Sequence, residues 1–557
     1  MRSVLATAAA AAAILMITPA ATSAESEVAA AGPICGGHVP AAAPDSAKPA
    51  QALLEGYGTG GFRIQTSNPR AQAYFDNGMQ LGHAFAHKAS IAAFQEARRL
   101  DPACGMCAWG EAWARGPTIN YPIDAKEQAV LAKIADRAAQ LAADGPDKER
   151  RLTAALQLRY RHGGGKGPGD LAFAKAMESL AHQHPDDNEL AILAADAWMI
   201  PAAHHYSRDN LDKALTLLGA ALARNPNDTG AIHFYIHATE FDGVPERALP
   251  YAQRLQALAP AASHLVHMPS HTYYWVGRYD AATRSNVDAV AIDEANARRL
   301  DTKDGAWGLA YHGHNVSFGI GAAMMDGDGA SALPLARSVI ARVGLIKPGD
   351  GGSQTGTGRA YYALGRYAAP DEVAALKDPG AGLPYLRVMW RYARGEAAAR
   401  RGDVAALTAE TAAMASTPVS YAVFGGDAHR AQALAEIARL VLVGRTALLE
   451  HRPKEAVRAF QVAADRQEKV LRDYNDPPAW WYPVRRSLAA AELAGGDSAE
   501  AARQAKAVLA HTPDDPLTLW VLARAEMALG QAAEAGQTLA KARGLWHGQL
   551  PDEVSAV

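Results

Sequence analysis

A step of 34 residues recurs through the middle of this chain. It separates His233 from His267 and His237 from His271. It also separates Ala214, Ala248 and Ala282, and Pro226 from Pro260. A fixed period of this length is the mark of a helix–turn–helix repeat. One such unit cannot bury its apolar face alone, so neighbours stack into a solenoid with a concave surface. The spacing therefore predicts an all-α array, and it places the histidines at equivalent points of successive units.

Composition agrees with a long helical array. The hydrophobic fraction of 49% leans on alanine, a strong helix former, while aromatics make up only 7%. With 557 residues the chain is long enough for many repeats in series. A net charge of −3 with 20% charged residues gives no electrostatic footprint for nucleic acid.

Residues 1–24 read as a secretory signal. Arg2 precedes an apolar run from Val4 to Ile17, broken only by Thr7, and Thr22-Ser23-Ala24 offers a small-residue cleavage site before Glu25. The run is short for a membrane anchor, and no later stretch is apolar and long enough to span a bilayer. The expectation is an exported protein, periplasmic or secreted. Residues 25–65, rich in Ala, Pro and Gly, read as a linker. The chain has three cysteines, Cys35, Cys104 and Cys107. In an oxidising compartment Cys104 and Cys107 can pair; the alternatives are a soft-metal site or two buried thiols. Ala108 stands where haem attachment would need a histidine.

From about residue 70 the repeat is explicit. The segment from Ala71 to Pro102 has Gly78 in its first helix, then Phe94 and Ala97, and closes on Asp101-Pro102. The pattern returns with Ala214, Ala221 and Pro226, and with Gly243, Ala248 and Pro260. It continues with Gly277 and Ala282, with Gly496, Ala501 and Pro513, and with Gly530, Ala535 and Ala542. This resembles the tetratricopeptide repeat over residues 70 to 545. The resemblance implies an α-solenoid whose first helices line a groove that usually holds a peptide or partner protein. It names no catalytic residue. Two arrays are expected, 66–340 and 361–547, joined by a glycine-rich linker or lid at 341–360. That stretch lacks the Gly-Lys-Ser/Thr of a phosphate-binding loop. Trp480, Trp481 and Tyr482 read as core at a repeat junction.

The histidines carry the chemistry. Nine of the chain's 19 lie between His204 and His314. His233, His237 and Glu240 are spaced four and three apart, and His264, His267 and His271 three and four, so each set shares a helix face. By the resemblance both faces would look into one groove. Neutral imidazole is the commonest transition-metal ligand, and in-phase pairs can hold one ion. His233, His237, His264, His267 and His271 are the candidate ligands, with Glu240 a ligand or general base. The metal is copper, zinc or iron, with Met268 nearby in favour of copper. No His-Glu-x-x-His occurs, so a zinc protease is not implied. Pro269 is expected to start or kink a helix, leaving His264 and His267 in an entry loop. His83 and His87 form a weaker pair, and His312 and His314 open the next unit.

Two functions follow: a metal-binding solenoid, with turnover left open, or an interaction scaffold that uses the histidines as polar contacts to a peptide. Repeat-phased histidines favour the first, because peptide binding does not require such phasing. The N-terminal reading carries its own test. Intact mass of the exported protein should show a chain starting near Glu25, and a mass that retains Met1 to Ala24 would make the segment an anchor.

Overall fold

The computed structural model describes residues 52–161, 163, 167–204, 207–472, 476–553 and 557. Residues 1–51, with the expected signal segment and Cys35, lie outside the described residues, as does His205. Among those described the chain is a series of helices with no β-strand. Helical hairpins follow one another from Pro69–His83 with His87–Leu100 to Pro516–Ala528 with Ala532–Leu545, and each helix packs mainly on the next in sequence. No described helix is long and apolar enough to cross a membrane.

The hairpins form for the reasons the repeat suggests. Asn68 caps the first helix by accepting from the backbone N–H groups of Arg70 and Ala71, and Asp228 caps Thr229–Phe241 through Ala231 N–H. Each such cap is worth about 1 kcal/mol. Small residues set the crossings: a Cβ on Gly78 would lie 2.7 Å from the ring of Phe94, so only glycine lets that buried ring seat against the first helix.

The core divides along the chain as expected of a solenoid. One cluster runs from Leu54 to Met268 and takes in Tyr311, a second from Tyr273 to Ala491, and a third from Ala489 to Val557. The first of these closes on itself, because helix Pro69–His83 returns to pack against helix Thr229–Phe241. That closure surrounds the histidines instead of leaving them along an open groove.

Three expectations change. The second half of the supposed linker is docked: Leu54, Tyr57 and Ile64 are buried, Asn77 brackets Leu54 with two hydrogen bonds of 3.0 and 2.7 Å, and Thr59 N–H donates to Thr229 Oγ1 at 2.8 Å. Its scattered apolar side chains, too irregular for a helix, are what pin it. The glycine-rich stretch becomes a helix at Gly351–Tyr367, capped by Asp350. Its glycines permit close packing, since a Cβ on Gly351 would meet Val423 O at 2.7 Å and one on Gly365 would meet Ala393 Cα at 2.8 Å. The helix also runs across the Pro269 break. Helices Ser263–His267 and Pro269–Trp275 are joined by Met268 at φ −51°, ψ −37°, so His264 and His267 are helical and His271 follows on the same course. Proline at a first helical position costs little, because its missing N–H would lack an intrahelical partner anyway.

Cys104 and Cys107 form a disulfide at the start of helix Gly105–Ala114 and are not metal ligands here. Thiol titration of denatured, unreduced protein retaining Cys35 should give one thiol per chain; three would mean that the pair is not formed.

Candidate metal centre

Six imidazoles meet at the seam between the first and second cores. His233 and His237 come from helix Thr229–Phe241, His264 and His267 from Ser263–His267, His271 from Pro269–Trp275, and His314 from His312–Asp326. All six are buried. They form two triads, His233/His237/His264 and His267/His271/His314, each with its ligand nitrogens within 4.8 Å of one another, and an overlapping group of His237, Glu240 and His271 meets the same distance between them. The rings of His237 and His271 lie 5.5 Å apart, and those of His264 and His267 5.6 Å, so the groups adjoin.

The outer nitrogens fix the tautomers. His271 Nδ1 donates to Glu240 Oε2 at 2.8 Å, and Glu240 Oε1 accepts from Trp275 Nε1 at 2.8 Å. His267 Nδ1 donates to Asn286 Oδ1 at 2.6 Å, while the Asn286 amide donates back to the Ala282 carbonyl at 2.8 Å. His233 Nδ1 donates to the His83 carbonyl at 2.6 Å. A neutral imidazole that spends its proton on Nδ1 presents a bare lone pair at Nε2. His267 Nε2 and His271 Nε2 are 2.9 Å apart, and His314 Nε2 is 3.0 Å from His267 Nε2. Two lone pairs at that distance repel unless a proton or a metal ion lies between them.

Charge around the groups is unequal. Asp476 brings its Oδ1 to 3.5 Å from His271 Nδ1 and 3.7 Å from His314 Nε2. Its buried carboxylate oxygens have no hydrogen-bond partner. The buried Arg359 guanidinium holds the adjacent backbone by donating to the Pro477 and Pro478 carbonyls at 2.9 and 3.0 Å. The first group has no carboxylate among its members and sits in an aromatic box. Phe85 lies 4.4 Å from His233 and 5.1 Å from His264, and Tyr311 lies 4.5 Å from His264.

Burial disfavours the charged imidazole and lowers His233 to about 3; it also holds His237, His264, His267 and His314 well below the usual range, with neighbouring imidazoles adding to the effect. His271 is the exception. Burial pulls it down, but the Glu240 and Asp476 carboxylates outweigh that and raise it to about 8. Burial pushes the Asp476 carboxyl up.

The five histidines singled out from the sequence are thus all at the seam. They do not surround one point as four ligands of a single ion, since His314 and His264 complete separate triads. Nor do they line an open groove. Glu240 has both oxygens occupied by His271 and Trp275. His83 lies beside the site and pairs with Glu189 at 2.6 Å, while His87 packs near Tyr311 and is lowered by burial to about 4. His312 turns away to Asp293 at 3.1 Å. The 34-residue step misses His314, which lies 47 residues after His267 because the long helix Tyr279–Leu300 and its loop intervene. Asp476 has no periodic signal at all.

No family model matches this chain, and no curated protein matches it. Solved structures do share its helical-array character. The human IFIT1 dimer with m7Gppp-AAAA aligns over 86% of this chain and 91% of its own, at 11% identity and a TM-score of 0.30. The Naa15/Naa10 complex bound to HypK-THB aligns over 86% and 89%, at 12% identity and a TM-score of 0.22. The tetratricopeptide-repeat domain of P58(IPK) aligns over 83% and 99%, at 12% identity and a TM-score of 0.21. These superpositions are too loose to transfer a ligand, a partner or a site residue.

Proposed function

We propose that this protein is an exported tetratricopeptide-like solenoid that binds a transition metal at the His267/His271/His314 triad. The observation that carries the reading is the buried convergence of three Nε2 atoms, those of His271 and His314 lying 2.9 and 3.0 Å from that of His267, with the Nδ1 protons of His267 and His271 committed outward. Glu240 and Asn286 act as outer partners that orient the rings and raise their basicity, the arrangement common around metal-bound histidine. Asp476 is a carboxylate at hand to offset the ion's charge. Three imidazoles with a position left for a further ligand suit zinc, copper or iron. The Cys104–Cys107 disulfide fits an oxidising compartment and supports export.

Elemental analysis of untagged protein from the exported fraction tests the reading directly. Bound transition metal is expected in the parent, with a sharp loss in His267→Ala and in His314→Ala and helical content unchanged. Glu240→Gln should weaken binding by about 10- to 100-fold, as loss of an outer partner does. Metal-free parent protein that takes up no zinc, copper or iron would overturn the proposal.

A competing proton sets the pH dependence. In metal-free protein His271, raised to about 8, carries a second proton that can sit between the two Nε2 atoms. An ion must displace it, so apparent affinity should fall about tenfold per unit as pH drops below about 8 and level off above. Zinc titrations at several pH values check this. A flat profile from pH 6 to 9 would remove His271 from the ligand set.

The scaffold reading keeps one specific support. A cavity of about 750 Å³ lies against the docked N-terminal segment, lined by Thr59, Asp186, Asp187, Glu189 and Asp228 among others. Its carboxylates suit a basic peptide segment. Such a peptide would bind away from the buried histidines, so its binding should survive His267→Ala.

A further inference from the structure

The geometry points to a second, unlike ion site beside the first, in which His233, His237 and His264 hold monovalent copper. This rests on the triad reading above but makes a separate claim about number and charge.

Geometry comes first. The three ligand nitrogens lie within 4.8 Å of one another on side chains that are buried together. His233 spends its Nδ1 proton on the His83 carbonyl at the end of helix Pro69–His83, so its Nε2 points inward as a lone pair. His264 Nε2 stands 3.2 Å away, and His264 Nδ1 is buried with no hydrogen-bond partner. Whichever nitrogen of His264 carries its proton, one imidazole nitrogen of that ring is left buried without a partner. An unpaired buried polar atom is costly, and a bound ion removes the cost.

Charge then selects the ion. The triad supplies three neutral donors, and the rings of Phe85, Phe234 and Tyr311 wall it. Glu240 and Asp476 both contact His271; Glu240 also comes within 4.8 Å of His237, but its two oxygens are taken by His271 and Trp275, and no carboxylate is grouped with His233 or His264. The desolvation cost of an ion grows with the square of its charge, so an uncompensated divalent ion pays about four times what a monovalent one does. Among metals that imidazole binds well, copper is the one with a stable monovalent state, and it accepts low coordination numbers. The triad with carboxylates suits a divalent ion, and the triad without suits copper(I). His237 and His271, 5.5 Å apart between ring centres, connect the two.

The experiment loads metal-free full-length protein with zinc(II), removes excess, and titrates it anaerobically with copper(I) against a chromophoric copper(I) chelator. One zinc per chain followed by one further copper(I) per chain is expected, with zinc retained. His264→Ala should lose the copper(I) and keep the zinc, and His314→Ala should do the reverse. The parent stoichiometry stands even if a variant misfolds. Two zinc ions per chain, one of them lost in His264→Ala, would overturn the monovalent assignment. No copper(I) uptake by the zinc-loaded parent would overturn the second site while leaving the first proposal intact. Copper(I) held at His264 with no zinc bound anywhere would leave this inference standing and sink the divalent site.

Discussion

Imidazole nitrogens buried face to face constrain everything around them. Between His267 and His271 there is no room for water, and each ring has already given its Nδ1 proton outward, so only an added proton or an ion can lie between the two Nε2 atoms. In a low-dielectric interior such an arrangement is unfavourable without a positive charge at its centre. The outer hydrogen bonds are therefore as informative as the inner distances. A histidine cluster that only filled space would be free to point one ring's N–H at the next ring's lone pair. Here Asn286 and Glu240 prevent that at two rings of the second triad, and the His83 carbonyl does the same for His233 in the first.

The solenoid supplies this geometry through repetition followed by closure. Repetition places His233 and His267, and His237 and His271, at like points of adjacent units, so their rings approach from neighbouring helices. Closure then seals them. Helix Pro69–His83 folds back on Thr229–Phe241, and small residues make the approach feasible: a Cβ on Gly230 would come within 3.2 Å of the His83 ring. The docked segment at 52–65 secures the same junction through Thr59 and Thr229. Without closure the imidazoles would be hydrated, their nitrogens satisfied by water, and no argument for an ion would arise from them.

How much of this could be read beforehand follows from what each feature depends on. The helical repeat was legible because its signal is local and periodic: Gly78 against Phe94, with Pro102 ending the unit, recurs with small changes along the chain. Five of the six seam histidines were legible for the same reason. His314 was visible only as an unassigned histidine, because the 22-residue helix Tyr279–Leu300 breaks the phase that would have aligned it. Asp476 was hidden in a segment read as aromatic core. Its placement depends on Arg359 gripping the Pro477 and Pro478 carbonyls across more than a hundred residues, and no period encodes such a contact. The closed chamber was equally hidden, since an open groove and a closed one share the same repeat and differ only in how the array curves.

The position of the cluster at the seam gives an ion a structural consequence that a site inside one core would lack. In a repeat array each unit contacts its neighbours, and stability is close to a sum of unit and interface contributions. Apart from Tyr311, the first core ends at Met268 and the second begins at Tyr273, so His267 and His271 flank the junction itself. Glu240 reaches His271 from one side, while His314 and Asp476 approach from the other. On the proposed reading an ion there adds to one interface only and joins units that otherwise meet through polar rings poorly able to satisfy one another. It would stabilise the folded chain by mass action, about 2.7 kcal/mol when free metal is a hundred times its dissociation constant. That gain would appear as tighter coupling of the two cores and leave the hairpins on either side unchanged. On the same reading Asp476, carried to the seam from far along the chain, would make metal binding depend on the two cores being correctly joined, because the charge that offsets the ion arrives with the second of them.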